Sequence, residues 1–115
     1  MRNGRGSKTC KETVDDVCAY VMANLSDSNL SVMQLANKQF LNEDYLARIF
    51  KREMGISLKR FIISKRMELA TELLGTLDIS VAEVADRVGY SSYGYFVAAY
   101  KKHFGRTPTN VKKRK

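Results

Sequence analysis

The stretch "SVAEVADRVGYSSYGYFVAAYKKHFG", residues 80–105, decides the fold because most of it has a counterpart earlier in the same chain. Its beginning matches "SVMQLA" at 31–36 with an offset of 49 residues. Its end, "YFVAAYKKHFG", matches "YLARIFKREMG" at 45–55 with an offset of 50, so the second copy has one extra residue in its turn. An internal repeat of this length indicates two structural units built on one plan.

Each copy opens with the spacing of a capping box. Ser31 is followed three residues later by Gln34, and Ser80 by Glu83. In a capping box the hydroxyl at the helix start and the side chain three residues later bind each other's backbone amides. The two positions therefore predict the starts of two short helices, and the alanines that follow, Ala36 and Ala85, are small enough for close helix crossing.

A tight turn and a longer helix follow in each copy, which is the helix-turn-helix plan. The turns are "QFLN" and "VGYSS". Polar caps restart the chain as a helix, and a glycine suited to the left-handed position ends it. The predicted caps are Asn42 and Ser91 or Ser92, and the closing glycines are Gly55 and Gly105.

Periodic apolar residues outside the repeats predict two further helices, one over Thr13–Asn24 and one over Leu58–Leu74 that Gly75 ends. The expected fold class is all-α, with two homeodomain-like helix-turn-helix subdomains joined by a long linker helix. The predicted segments are a flexible lead-in at 1–12, the subdomains at 13–57 and 76–111, the linker helix at 58–75 and a basic tail at 112–115.

The net charge of +8 is concentrated in the second half of the chain. Residues 58–115 carry 12 Lys and Arg against 5 Asp and Glu, whereas residues 1–57 carry 8 against 7. Such an excess favours a polyanionic partner, nucleic acid before membrane. Charge alone fits equally well with a basic protein that binds no polyanion.

Metal, disulfide and catalytic chemistry find little support in the sequence. Two cysteines, Cys10 and Cys18, and a single histidine, His103, make neither a metal set nor a disulfide framework. A Cys–His pair and a Gly-rich phosphate loop are both missing from the sequence, so we expect no enzyme and no cofactor. The sequence contains no apolar run near the roughly 20 residues of a membrane span. A cytoplasmic location is expected.

The chain resembles the DNA-binding domain of the AraC/XylS family of bacterial transcription regulators from about Val14 to Val111. The most specific part is the second copy, where Tyr100 replaces the usual Phe. "LNEDYLARIFKREMG" in the first copy is similar to family members in which a receiver domain precedes this module. The family pattern is matched by Ile79, Ala85, Gly89-Tyr90, Tyr95-Phe96, Tyr100-Lys101 and Gly105-Arg106-Thr107-Pro108.

The resemblance implies two recognition helices in successive major-groove segments of double-stranded DNA, roughly 34 Å apart. The residues that it assigns to base reading in the first unit are Asp44, Ala47 and Arg48. Arg48 is the strongest candidate because a guanidinium can bind guanine O6 and N7 together. Asp44 is expected to stabilise the start of its helix through the dipole, with a bond to cytosine N4 as the alternative.

The second reading face departs from the family, which often has a polar or basic residue at the position of Ala98. The face consists of Tyr93, Gly94, Val97 and Ala98. Without a donor at Val97 or Ala98, bidentate readout is impossible there. Apolar contact with thymine methyls, close backbone approach at Gly94 and a Tyr93 hydroxyl contact stay open. We expect the first unit to supply most base readout and the second to contribute phosphate contacts and shape reading.

Phosphate contacts are expected from basic side chains and from amides at helix starts. Arg66 and Arg87 are alternatively expected to form ion pairs within the protein. RNA polymerase is a further expected partner, and we expect a monomeric fragment whose longer protein dimerises through a missing domain. The candidate phosphate residues are Ser31, Lys51, Ser57, Ser80, Lys101, Lys102, Arg106 and Thr107, with the tail Lys112–Lys115 as an addition.

A basic helical module that binds RNA or another protein, without reading DNA sequence, is the alternative. RNA binding by stacking would require exposed aromatic rings. Phe96, Tyr100 and Phe104 instead repeat every four residues, as core positions do, and Tyr95 is assigned to the same packed side. The spacing therefore favours a core role for these rings.

Overall fold

The computed structural model describes residues 8–76 and 78–109, and in these ranges the chain forms six helices and no strand. The prediction of an all-α fold is confirmed. The helices are α1 Cys10–Ala23, α2 Val32–Lys38, α3 Glu43–Met54, α4 Leu58–Thr76, α5 Val81–Arg87 and α6 Tyr93–Phe104.

The first helix begins one turn earlier than the sequence prediction of Thr13. Thr9 is the N-cap of α1: its hydroxyl accepts from the Glu12 amide, while the Glu12 carboxylate accepts from the Thr9 amide. This reciprocal pair is a complete capping box, so the chain is helical from Cys10. The prediction of a flexible lead-in over residues 1–12 is therefore wrong for 10–12, and residues 1–7 lie outside the described part.

The predicted caps of the repeats are largely confirmed. The exception is the reciprocal half of the Ser80 capping box: Ser80 accepts from the Glu83 amide, but the Glu83 carboxylate accepts from Arg87. Asn42 accepts from the amides of Asp44 and Tyr45, and Ser92, rather than Ser91, caps α6. The extra residue of the second copy is thus Ser91. Gly55 and Gly105 end α3 and α6 in the left-handed conformation, with φ of 83° and 81°. The long helix α4 does not end at Gly75 but includes Thr76.

The described residues divide into two compact units. We call residues 8–24 and 30–61 the first unit, and residues 25–29, 62–76 and 78–109 the second unit. The predicted linker helix is therefore shared, since α4 contributes its first residues to the first unit and the remainder to the second. The short segment 25–29 precedes the first repeat in the sequence but belongs to the second unit.

The core of the first unit forms where α3 packs against α1 and α2. Leu46 and Phe50 of α3 are fully buried, and the Phe50 ring meets Phe61 edge-on with 5.4 Å between the ring centroids. Ala36 is buried as its predicted role in close crossing requires. The opposite face of α3 is consequently left on the surface.

The core of the second unit is built on aromatic residues of α6. The Tyr100 hydroxyl is satisfied by Thr71, with 3.2 Å between the two oxygens, so burial of this polar atom costs little. The residues of this core are Met67, Ala70, Leu74, Val84, Ala85, Val88, Phe96 and Tyr100.

Arg66 is a buried cation of the second unit, with 8% of its surface exposed. Its guanidinium donates to the carbonyl oxygens of Leu25, at 3.1 Å, and Asp27, at 2.7 Å. It also lies 5.7 Å from the centre of the Tyr90 ring. Burial lowers the pKa of Arg66, and the neighbouring Tyr90 and Asp27 oppose that shift. Arg66 therefore ties segment 25–29 to the turn that precedes α6.

The two helix-turn-helix turns share one hydrogen-bond pattern. In the first, the Phe40 amide donates to Asn37 O and the Leu41 amide to Ala36 O; in the second, Gly89 and Tyr90 make the equivalent bonds to Asp86 and Ala85. This is the Schellman arrangement, which requires a left-handed residue after the helix. The left-handed residues are Phe40, with φ of 58°, and Gly89, with φ of 92°.

Candidate nucleic-acid interface

The exposed face of α3 carries the residues predicted to read bases in the first unit. Asp44, Ala47 and Arg48 are exposed, and Lys51 follows one turn later on the same surface. Asp44 and Glu43 lie in the first turn, where carboxylates interact favourably with the helix dipole. The structure thus brings the predicted set together on one accessible helix face.

Arg48 is held at this surface by an aromatic neighbour that the sequence analysis did not single out. The Arg48 guanidinium carbon lies 5.4 Å from the centroid of the Tyr45 ring. The Tyr45 hydroxyl in turn shares a hydrogen bond with the Cys10 thiol, with 3.7 Å between Oη and Sγ, and this bond raises the pKa of Tyr45. A tyrosine three residues before an arginine on a helix is the signal that identifies this pair.

The reading face predicted for α6 is only partly exposed. Gly94 and Ala98 are exposed and one helical turn apart, and Tyr93 is half exposed. Val97 differs, because its side chain packs against the core of the second unit and is half-buried. Val97 therefore lies at the edge of the predicted reading face, and its role in base reading stays a prediction.

One aromatic residue of α6 does not lie on the predicted packed side. Tyr95 is 75% exposed, whereas Phe96 and Tyr100 are fully buried. Phe104 is 37% exposed, but its ring packs on that of Tyr100 as predicted, with 4.6 Å between the ring centroids. Tyr95 precedes Phe96 by one residue, and one residue turns a helix by about 100°, so the two cannot share a packed side. Tyr95 is instead a large aromatic side chain on the surface near Ala98, a position that its grouping with the core aromatics did not predict.

The basic side chains predicted to contact phosphate are accessible. Lys101, Lys102 and Arg106 are exposed at the end of α6 and just beyond it. The first turn of α6 reads Tyr-Gly-Tyr-Phe and contains no carboxylate, in contrast to the first turn of α3. The start of α6 and its lysines therefore present positive potential without an acidic residue in the helix itself.

The serines and the remaining arginines have partners within the protein. Ser31, Ser57 and Ser80 each accept a bond from a backbone amide three residues later, at 3.1, 3.2 and 3.0 Å, so they act as helix caps. Arg87 pairs with Glu83 at 3.1 Å, as predicted. Arg66 donates its hydrogen bonds to carbonyl oxygens rather than to a carboxylate, and the charge of Asp27 interacts favourably with it.

Thr107 is half-buried and directly precedes Pro108, which is buried and helical. The basic tail lies outside the described residues. Within residues 8–76 and 78–109, neither a group of three metal-binding side chains nor a helix long and apolar enough to cross a membrane is found.

The helices α3 and α6 each have one exposed face, and each is preceded by a shorter helix and a tight turn. This arrangement defines a tandem helix-turn-helix protein. Residues 35–114 match the family described as "Helix-turn-helix domain", and the chain belongs to this family of AraC-type DNA-binding transcription regulators. The match covers both copies of the repeat except for the start of the first.

Known proteins share both the sequence and the fold. The chain is 30% identical over 113 residues to the HTH-type transcriptional regulator YtdP of Bacillus subtilis, which covers 98% of this chain and 14% of the relative. It is similar to the C-terminal domain of AraT, a response regulator of Geobacillus stearothermophilus, with a TM-score of 0.86, 33% identity and coverage of 90% and 85%.

A third similar protein was solved with its ligand. The DNA-binding domain of AdpA in complex with a target DNA has a TM-score of 0.83 and 25% identity, with coverage of 89% of this chain and 91% of that one. The chain is much shorter than its full-length relatives: it spans 14%, 31% and 34% of the length of three that it matches.

Proposed function

We propose that this chain binds double-stranded DNA in a sequence-specific manner, with α3 and α6 in successive major-groove segments. The observation that carries the proposal is the exposed face of α3, where Arg48 is held by Tyr45 among residues suited to base contact. The solved AdpA domain, which is similar over most of this chain, supports binding to DNA because its structure contains a target DNA.

Arg48 is the residue that we expect to supply most of the discrimination. Its guanidinium presents two parallel donors that match guanine O6 and N7, a contact worth about 1–3 kcal/mol against the wrong base. Preorganisation on the Tyr45 ring reduces the side-chain entropy lost when the contact forms. Asp44, one turn earlier on the same face, accepts from cytosine N4 or remains a dipole partner.

Lys51, Lys101, Lys102 and Arg106 are proposed to contact phosphates, which fix register and orientation but carry no sequence information. The caps Ser31, Ser57 and Ser80 are proposed to contribute through the amides beside them rather than through free hydroxyls. Thr107 stays a predicted phosphate contact. Contact with RNA polymerase, dimerisation through a further domain and the cytoplasmic location stay predictions.

Selection of bound sites from a random duplex library tests the proposal. We expect two short motif segments about one helical turn apart. The Arg48→Ala variant should then lose preference at a guanine in one segment by about 5- to 150-fold, following the value of one bidentate contact. Arg52→Ala is the matched control, because Arg52 is an exposed arginine on the same helix that pairs with Glu53.

Val97→Ala should change sequence preference far less than Arg48→Ala does. Equal losses for the two variants across a panel of sites would contradict the assignment of base reading to α3. Equal affinity for duplex DNA of any sequence, or tighter binding to single-stranded RNA or to another protein, would overturn the proposed function in favour of the basic-module alternative.

A further inference from the structure

The exposed face of α6 is apolar at its centre. Gly94 and Ala98 lie one turn apart, and a Cβ built at Gly94 would meet, apart from its chain neighbours and the backbone of its own helix, one atom of the described residues within 4 Å, the Ser92 Oγ at 3.9 Å. The backbone of α6 is thus open to close approach at this point. Neither residue has a side-chain donor or acceptor, so hydrogen-bonded base readout has no partner here.

Two larger side chains, one of them aromatic, flank these two small residues. Tyr95 is 75% exposed and lies three residues before Ala98, and Val97 forms the other edge with its half-buried side chain. Leaving an aromatic side chain exposed forgoes the stabilisation that burial of its surface would provide. The face therefore has two small residues, Gly94 and Ala98, at its centre and the larger Tyr95 and Val97 at its edges.

Two basic residues lie at the C-terminal end of this apolar surface. Lys102 follows Ala98 by one turn, and Lys101 lies beside it. The first turn of α6 has no carboxylate to repel a phosphate backbone. This arrangement of an apolar centre and nearby lysines suits a DNA duplex in a particular way. The lysines would bind the phosphate backbone while an apolar group on a base edge contacts Gly94 and Ala98.

Only one major-groove base edge presents such a group. All four bases, thymine with its O4 included, expose hydrogen-bonding atoms there, and desolvating these atoms against Gly94 and Ala98 without a partner is unfavourable. Thymine is the one base that also presents a methyl group able to offset part of this cost. Thymine exposes its C5-methyl, which gains from apolar contact.

We propose that α6 reads thymine through the C5-methyl group, with Gly94 and Ala98 as the contact and Tyr95 and Val97 as its sides. This inference rests on the proposed function, since it assigns the second segment of the DNA site. It gives the second recognition helix a sequence preference of its own, beyond phosphate contact and shape.

Replacement of thymine by deoxyuridine tests the inference, because it removes the methyl and leaves base pairing unchanged. The probe is the DNA duplex obtained by site selection. The segment assigned to α6 is the one in which the base preference is unchanged by the Arg48→Ala substitution. We expect each contacted methyl to contribute about three- to fivefold in Kd, the effect of burying one methyl group. Deoxyuridine in the α3 segment is the matched control and should have a smaller effect.

A second change to the DNA restores the methyl group instead of removing it. Replacing the contacted T·A pair by C·G should weaken binding, and 5-methylcytosine at that position should recover part of the loss because it restores the methyl. Unchanged Kd with deoxyuridine, or no recovery with 5-methylcytosine, overturns the inference while the proposed function stands. Absence of any selected site overturns both.

A protein variant provides a second readout. Ala98→Arg places on α6 the residue that α3 has at the corresponding position, and the exposed site together with the good helix propensity of arginine should preserve the fold. We expect its preference at the facing base pair to shift from thymine to guanine. A variant that remains helical by circular dichroism but retains the thymine preference would contradict the assignment of Ala98.

Discussion

The two helix-turn-helix turns use the same hydrogen bonds but are occupied by opposite kinds of residue. In the first unit the left-handed position holds Phe40, whose side chain is 95% exposed. In the second it holds Gly89, where an added Cβ would lie 2.3 Å from the Leu25 carbonyl oxygen and 2.7 Å from Arg66. The shared hydrogen-bond pattern of the turn therefore does not require glycine at the left-handed position. Close packing against Leu25 and Arg66 is what requires it in the second unit.

The recognition helices differ in a related way. α3 has a polar face with Asp44 and Arg48, whereas the corresponding positions of α6 are Gly94 and Ala98. A repeated fold thus supports two kinds of surface, one able to form directed hydrogen bonds and one apolar. Each difference between the units predicts an unequal response to equivalent substitutions.

The largest effect is expected for Gly89→Ala. The left-handed conformation costs a residue with a Cβ about 1–2 kcal/mol, and the clash with Leu25 and Arg66 adds a similar amount, for a loss of about 3 kcal/mol. Denaturant unfolding followed by circular dichroism measures the free energy. Gly94→Ala is the matched control, since its Cβ enters open space and the variant should be as stable or more stable.

Arg66→Met should lower the free energy of unfolding by roughly 2 kcal/mol, because the carbonyls of Leu25 and Asp27 lose a charged donor in a buried place. The same denaturation experiment on Arg87→Met is the control. Arg87 forms an exposed pair with Glu83, so its loss should change stability by less than about 0.5 kcal/mol. Equal effects of the two variants would show that Arg66 does not hold segment 25–29.

Substituting both Lys101 and Lys102 with alanine should reduce the slope of log Kd against log salt concentration by about 1–2, as expected for loss of one or two phosphate contacts. The selected sequence should stay the same, because phosphate contacts carry no base information. Titrations at several salt concentrations check the slope. A change in preferred sequence would instead place these lysines at base edges.

The smallest effect is expected for Phe40→Gly, the reverse of the substitution at Gly89. Glycine removes the left-handed penalty but increases the entropy of the unfolded chain, so we expect a gain of about 1 kcal/mol or less. Thermal unfolding of the variant should show a higher Tm. A loss of stability would mean that the Phe40 ring contributes a favourable contact in the folded chain.

Local signals in the sequence account for much of this structure. The helix starts at Asn42 and Ser80 and the ends at Gly55 and Gly105 were predictable because capping depends on residues a few positions apart. The start of α1 was equally readable, since Thr9 and Glu12 have the capping-box spacing. These features need no knowledge of the rest of the fold.

Features that depend on distant residues were not predictable in the same way. Arg66 binds carbonyl oxygens 41 and 39 residues away, and backbone carbonyls have no sequence signature. Phe40 carries no sign of its left-handed backbone, which the hydrogen bonds of the turn impose. Exposure of Tyr95 followed from helical geometry, but grouping it with neighbouring aromatics by residue type obscured its angular position.

Segment 25–29 has a consequence for how the chain can be divided. Because the second unit includes five residues that precede the first repeat, it is not a contiguous piece of sequence. A fragment that starts at Ile62 would leave Arg66 without Leu25 and Asp27, so the repeat seen in the sequence does not correspond to an excisable folding module. During synthesis, the loop around Leu25 emerges long before Arg66, and the second unit is completed only when the chain returns to a segment made earlier.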